Sequence, residues 1–365
     1  MNDRTSTKVP VARVERQIAS ILAAWGTEPE LVRTTVDAMV YSDLAGIDSH
    51  GISMLMMYEE GLRAGRLDVR ARPRIVREGP TTALVDAGAG LGHAAGVAGM
   101  QLAIEKALAA GVGAVSVFNS HHFGAAGYYA GMAPRRGLIG LVTSTTRTIS
   151  VIPTRSAIPV LGTNPIAFAA PARRTAPFLL DMATSTVAAN KVKVHDLKHE
   201  PLPEGWVLDE NGAPVTSAAT AMDHLFRQGT GGLTPLGGTP EMASHKGYGL
   251  GVMVQILSSA LSGGSFSPLR ARTRPADAPD DIGHFFLALD PRAFRPGGAF
   301  EEDVDAVLDE LHRARPVDPA LPVLVAGDPE ERARRERLAD GIPIPEALSR
   351  KIRAICDRCA APFVL

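Results

Sequence analysis

Two cysteines in 365 residues, Cys356 and Cys359, are too few for a disulfide framework, and the expected setting is a reducing one, the cytoplasm. The chain has no excess of charge of either sign, with 38 Lys and Arg against 39 Asp and Glu. A phosphate backbone needs a basic field, so nucleic acid is not an expected partner, and a small anion would need a local group of cations. No apolar run approaches the about 18 residues that cross a bilayer, and Met1 to Val11 is too polar for the core of a secretory signal. The Cys-x-x-Cys pair has no second ligand pair and no βαβ surroundings, so neither a metal nor a redox site is expected there. What remains is a globular composition, 45% hydrophobic and 21% charged, on a chain long enough for two or three sub-domains.

Apolar positions at helical spacing predict helices over Val11–Ala24, Glu28–Tyr41 and Ile52–Ala64. From Thr81 the texture becomes α/β. Strands are expected at Ala83–Val85, Ala114–Phe118 and Leu138–Ser144, with helices at His93–Ala110 and Ala125–Pro134. Further strands are read at Pro165–Ala170, Phe178–Leu180 and His284–Leu289, and helices at Tyr248–Leu261, Glu301–Ala314 and Pro345–Cys359. Turn signals make Lys191–Glu241 loop-rich and Gly263–Asp281 a flexible connection. The division this suggests is a helical region 1–72 packing with a helical 301–365, around a mixed-sheet region 73–300.

Gly88-Ala89-Gly90-Leu91-Gly92 follows a strand and precedes a helix, as a Rossmann loop would. Its spacing is wrong, and the next strand ends at Phe118-Asn119-Ser120 with no acid for a ribose, so the glycines are read as serving a tight turn. Four other segments are rich in chemistry-bearing residues. In Asp43-Leu44-Ala45-Gly46-Ile47-Asp48-Ser49-His50-Gly51 a histidine stands where a helical pattern breaks, suited to proton transfer, or else the polar group simply caps a turn. Asn119-Ser120-His121-His122-Phe123-Gly124 joins a strand end to a helix start, a place that collects anionic ligands, or else a tightly packed small-residue helix. Asp181 ends an apolar strand and is either an imidazole's partner or a cap for the next segment of chain. His245-Lys246-Gly247 opens a helix, where a lysine meets a phosphate or merely solvent.

In this order the segments resemble the type-2 malate/L-lactate dehydrogenase family, with further matches at Gly162–Pro171, Gly283–Pro291 and Gly327-Asp328-Pro329-Glu330. The resemblance implies a mixed α/β (α+β), non-Rossmann fold, NAD or NADP as cofactor, a homodimer, and hydride transfer between a small 2-hydroxy acid and its 2-oxo acid. It implies His50 as the acid/base, with Ser49 and Asp181 completing a relay and His122 lining the pocket. Ser144, Met182, Ala183, Thr184, Ser185, His245 and Lys246 fall on segments used for cofactor, and Gly327 and Asp328 are further candidates.

Three positions depart from the family pattern. Family members commonly carry Arg where this chain has Ala45, and often again where it has Met54. Methionine cannot clamp a carboxylate as a guanidinium does, so another cation takes the task, with Arg147 and Arg155 as candidates, or the substrate is bulkier or less acidic than malate. His121 stands in place of the family's usual Asn. Three rivals are a reductase of a cyclic imine carboxylate (piperideine- or pyrroline-2-carboxylate type), a hydrolase built on Ser49, His50 and Asp181, and a nucleotide-binding homologue that has lost catalysis. Against the hydrolase, adjacent Ser and His point apart and no G-x-S-x-G elbow is present.

Overall fold

The computed structural model describes residues 6–365. Its centre is a mixed sheet of seven strands. These are β2 (Arg74–Glu78), β3 (Thr82–Asp86), β4 (Val112–Ser120), β5 (Ile139–Ser144), β6 (Ile166–Ala170), β7 (Phe178–Met182) and β10 (Ile282–Leu289). Across the sheet they lie in the order β2-β3-β4-β10-β5-β6-β7. Only β3 and β4 pair in parallel; the other neighbours are antiparallel. It follows that β3, β4, β5 and β7 all run the same way, and their C-terminal ends, Asp86, Ser120, Ser144 and Met182, lie on one edge of the sheet. The segments singled out above therefore collect there, for a reason of topology that no single motif carries.

Three apolar cores hold the chain. The first joins α1 (Val11–Ala24), α2 (Pro29–Leu44) and α3 (Leu55–Arg63) with the C-terminal α12 (Glu346–Cys359), through Ile18, Met39, Leu55, Tyr58, Ile352 and Ile355. A two-stranded pairing of β1 (Ser6–Val9) with β11 (Ile342–Pro345) fastens the two ends. The second lies where α4 (Gly92–Ala110) and the five-residue α5 (Ala126–Ala130) cover the sheet. The third gathers Val151, Leu161, Val192, Val207, Ala221 and Leu233 in the middle of the chain.

That third core corrects the reading of Lys191–Glu241 as mainly loop. It contains α6 (Ala189–Lys198), α7 (Ala218–Asp223) and the paired strands β8 (Val207–Leu208) and β9 (Gly232–Leu233). The connection before β10 likewise contains α9 (Ser267–Thr273), after α8 (His245–Gln255). The C-terminal part divides: α12 joins the N-terminal helices, whereas α10 (Ala299–Arg313) reaches the β6–β7 turn through Arg174, which bonds Asp305 and Asp309. Helix α11 (Asp328–Asp340) was not anticipated. It has no buried residue, so it lacks the apolar stripe that betrays a helix.

Candidate active site

The His50 loop begins where α2 stops. Gly46 adopts φ +80°, Ile47 N donates to Ser42 O at 2.9 Å and Gly46 N to Asp43 O at 3.4 Å. This is the left-handed helix stop that glycine permits. The chain then turns through Ile47–His50, with His50 N donating to Ile47 O at 2.9 Å. Beneath the loop, buried Asp43 accepts from Ile52 N at 2.9 Å, and burial pushes its carboxyl up to about 8. From outside, Arg337 of α11 donates to Asp43 O at 2.5 Å and pairs with Asp48. The loop is thus pinned on both sides.

Ser49 Oγ lies 2.7 Å from His50 Nδ1, so these adjacent side chains meet, contrary to the expectation that they point apart. Among the described residues His50 Nε2 bonds to no protein group, and this nitrogen is left for a ligand. The ring is half-buried, and the surrounding protein pulls its pKa down to about 4 by desolvation. His122 lies beside it, ring centres 5.3 Å apart. Its Nδ1 is 2.9 Å from the hydroxyl of buried Tyr58, which also reaches His93 Nε2 at 3.4 Å. Burial, then the neighbouring histidines, hold His122 well below the usual range, and burial takes His93 and His284 to about 3. The site is a set of neutral imidazoles.

Sequence reasoning missed His284 and Tyr58. His284 hangs between Ser144 Oγ (2.8 Å) and Ser120 Oγ (2.9 Å) and stacks on Phe123 at 4.3 Å. Both hydroxyls also reach backbone carbonyls, Ser144 that of Thr145 at 2.8 Å and Ser120 that of His121 at 3.3 Å. Ser144 thereby braces the β4–β10–β5 edge. The signal available was the Gly283-His284-Phe285-Phe286 run; Tyr58, within an ordinary helical pattern, had none.

Asp181 does not meet His50 in this chain. Among the described residues no hydrogen bond joins it to His50 or Ser49; its Oδ2 accepts from Gly127 N at 2.7 Å, at the start of α5. Asp181 therefore acts as a cap, but for the earlier helix α5 and not for the segment that follows it, and it occupies a helix start expected to be open to an anion. Burial lifts Asp181 to about 6, with Glu330 adding to the rise.

The residues read as cofactor contacts divide similarly. Thr184 Oγ1 donates to Asn164 O at 3.0 Å and Ser185 Oγ to Val187 O at 2.8 Å, so both hydroxyls shape the exit of β7, with Met182 and Ala183. His245 and Lys246 are exposed on the first turn of α8, a helix whose N-terminus no side chain caps. Among the described residues Lys246 has no ion-pair partner. A free ammonium at an uncapped helix start fits a dinucleotide phosphate. Gly327 and Asp328 line a cavity of about 530 Å³ with Phe178, Arg332 and Arg335, and Asp328 accepts from Val325 N and bonds His312. No residue of the His50 group lines that cavity.

Met54 packs half-buried on the first core. Arg155 is exposed on a separate cavity of about 180 Å³, beside Ser244 and Gly212. Arg147 stands 3.0 Å from Asp280, which also bonds His121. The Gly88–Gly92 turn is closed by Asp86, whose Oδ1 accepts from Gly88 N and Asn119 Nδ2. Cys356 and Cys359 are free thiols, and among the described residues no group of three or more metal-ligating side chains is placed to hold an ion. No helix there is long and apolar enough to cross a membrane.

A family profile described as malate/L-lactate dehydrogenase matches residues 9–353. The chain belongs to that family. A malate dehydrogenase of Pyrococcus horikoshii is 37% identical over 98% of this chain and 96% of its own length. An L-sulfolactate dehydrogenase of Methanocaldococcus jannaschii is 34% identical over 94% of each. The crystal structure of malate dehydrogenase from Entamoeba histolytica superposes with a TM-score of 0.93 at 29% identity, covering 99% of this chain and all of the other. This chain is accordingly a dehydrogenase acting on 2-hydroxy acids, with the mixed α/β fold expected of it; dehydrogenases of its family use NAD or NADP.

Proposed function

We propose that this dehydrogenase interconverts a small malate- or lactate-like 2-hydroxy acid and its 2-oxo acid, with His50 as the proton donor and acceptor at the C2 oxygen. The observation that carries the reading is the His50 ring, bonded through Nδ1 to Ser49 at 2.7 Å with Nε2 unengaged beside His122. A bound nicotinamide supplies or accepts the hydride. Ser49 orients the imidazole, and His122, held by Tyr58, lines the substrate side. Lys246 is the residue best suited to the cofactor's phosphates, with Met182–Ser185 and Gly327–Asp328 as further contacts. The cofactor on this reading is NAD or NADP.

The site's neutrality has a kinetic consequence. Reduction needs His50 protonated and oxidation needs it neutral, and the free imidazole is held at about 4. The kcat/KM for 2-oxo acid reduction should therefore climb about tenfold per unit as pH falls toward 4, while that for oxidation stays level above this value and drops below it. A reduction limb centred on the ordinary histidine value of about 6.5 would remove the assignment. The broader test follows nicotinamide absorbance with NADH and NADPH against 2-oxo acids and cyclic imine carboxylates. Turnover of 2-oxo acids is expected, and turnover of imines alone would transfer the reading to the C=N bond.

The proposal includes a cytoplasmic homodimer. Free Cys356 and Cys359 support the compartment. Met253, Ile256 and Leu261, exposed on and just after α8, support an apolar contact between copies. Sedimentation equilibrium should give twice the 38.4 kDa chain mass.

A further inference from the structure

One group of charges near the site is not balanced among the described residues. Asp280, just before β10, is almost wholly buried and accepts from His121 Nε2 at 3.0 Å. Three guanidiniums crowd its other oxygen, Oδ1: Arg147 Nε at 3.0 Å, Arg66 Nε at 3.6 Å and Arg270 at 3.9 Å. None of the three meets Oδ1 with hydrogen-bond geometry. Arg66 and Arg270 are each about nine-tenths buried, at 9% side-chain exposure, and the Nε of both lacks a partner among the described residues. Among the described residues Arg270 otherwise reaches only the carbonyls of Ala278 and Pro279, both at 3.5 Å. Arg66 has one further carboxylate, Glu60, which approaches from the solvent side. Asp281 does not help, being engaged by Arg274, Ser265 and the amide of Asn119.

Three positive charges thus face one buried negative charge. Enclosing guanidinium charge without matching acceptors is among the costliest arrangements a protein can hold, and a second anion would relieve it. Planar forks of this kind suit the paired oxygens of a carboxylate or sulfonate. The group lies next to the catalytic pocket: His121 adjoins His122, and the Tyr58 ring sits 6.0 Å from His121 and 6.1 Å from His122. Arg147, at 39% exposure, forms its open side.

We propose that Arg66, Arg147 and Arg270, gathered on Asp280, form the receptor for an anionic group at the end of the substrate away from C2. The inference rests on the 2-hydroxy acid reading and names the charge that selects the substrate. His121 bonds Asp280 at 3.0 Å, and the next residue, His122, lies 5.3 Å from His50, which is why the distal end is assigned there. Asp280 is a positioning residue: it holds the three guanidiniums together and is not itself a ligand. The receptor supplies the cation that Met54 cannot.

Two measurements test this. In the first, kcat/KM is compared for oxaloacetate (distal carboxylate), sulfopyruvate (distal sulfonate) and pyruvate (no distal anion). Arg147→Gln and Arg270→Gln should each lower the oxaloacetate-to-pyruvate ratio by about 30-fold, the scale of one charge-assisted hydrogen-bond pair, mostly through KM, and Arg270→Lys should recover part of it. A sulfopyruvate ratio that falls equally assigns the site to both anions; one that stays fixed restricts it to carboxylate. An unchanged oxaloacetate ratio overturns the proposal. In the second, thermal melting of the wild-type protein is followed with succinate or butyrate at equal ionic strength, with and without NAD(P)+. Succinate should raise the midpoint, butyrate should not, and the Arg147→Gln/Arg270→Gln double variant should lose the difference. Equal responses to the two acids in the wild type overturn the proposal even if the variants do not fold. If no 2-oxo acid is turned over at all, the functional reading fails, whereas the succinate response still decides whether the receptor exists.

Discussion

Replacing His50 by alanine is expected to lower kcat by about 10²–10⁴-fold in both directions, the range that positioned acid–base groups contribute. The reason is geometric. His50 has Nδ1 committed to Ser49 at 2.7 Å and, among the described residues, Nε2 unengaged; His284 bonds through both nitrogens, and His122, tied to Tyr58 through Nδ1, is assigned to lining the pocket. The variant should still quench its tryptophan fluorescence on adding NADH or NADPH, because His50 is not read as holding the nucleotide. Ser49→Ala should fall between wild type and His50→Ala, since it frees the ring without removing it. Turnover within tenfold of wild type in His50→Ala would end its role as the acid.

Gly51→Ala is expected to be nearly as damaging although it touches no reacting group. A Cβ at Gly51 would stand 1.8 Å from Asp43 Oδ1 and 2.1 Å from its Cγ. Asp43 cannot swing clear, because it is enclosed and holds Ile52 N. Either the loop moves, carrying His50 with it, or the carboxyl is displaced and the amide is orphaned. Displacement of about 1 Å costs on the order of 10²-fold in rate, and forcing atoms into a filled site costs about 1–3 kcal/mol of stability. Kinetics and urea unfolding of the single variant measure both. The double variant Gly51→Ala/Asp43→Ala should recover part of the stability, because the clash is relieved while Ile52 N stays unpaired. A double variant no more stable than Gly51→Ala would show that the clash is not the cause.

Much of this was legible in the sequence wherever the cause was local. The helices over α1, α2, α4 and α12 follow from apolar spacing, and the break that presents His50 follows from Gly46. The strands β4, β5, β6 and β10 announced themselves by apolar runs between turn residues. Where spacing carried no information, reading failed. Helix α11 is charged on all sides, and α6, α7 and α9 sit among prolines, glycines and polar residues that resemble loop. The edge strand β2 is exposed throughout, so no alternation marks it.

For the site, the sequence by itself determined that a histidine would project from the end of α2, that a second would follow β4, and that the chain belongs with a family of 2-hydroxy acid dehydrogenases. Turns and caps are settled by residues a few places apart, and so they can be read from a string. Only the tertiary structure decided what each polar group meets. Asp181 turns to Gly127 instead of His50, His284 bridges two serines, and three arginines from remote segments converge on Asp280. A carboxylate's partner depends on the register of its strand and on helices delivered from elsewhere in the chain, and that pairing is set by the packing of the sheet.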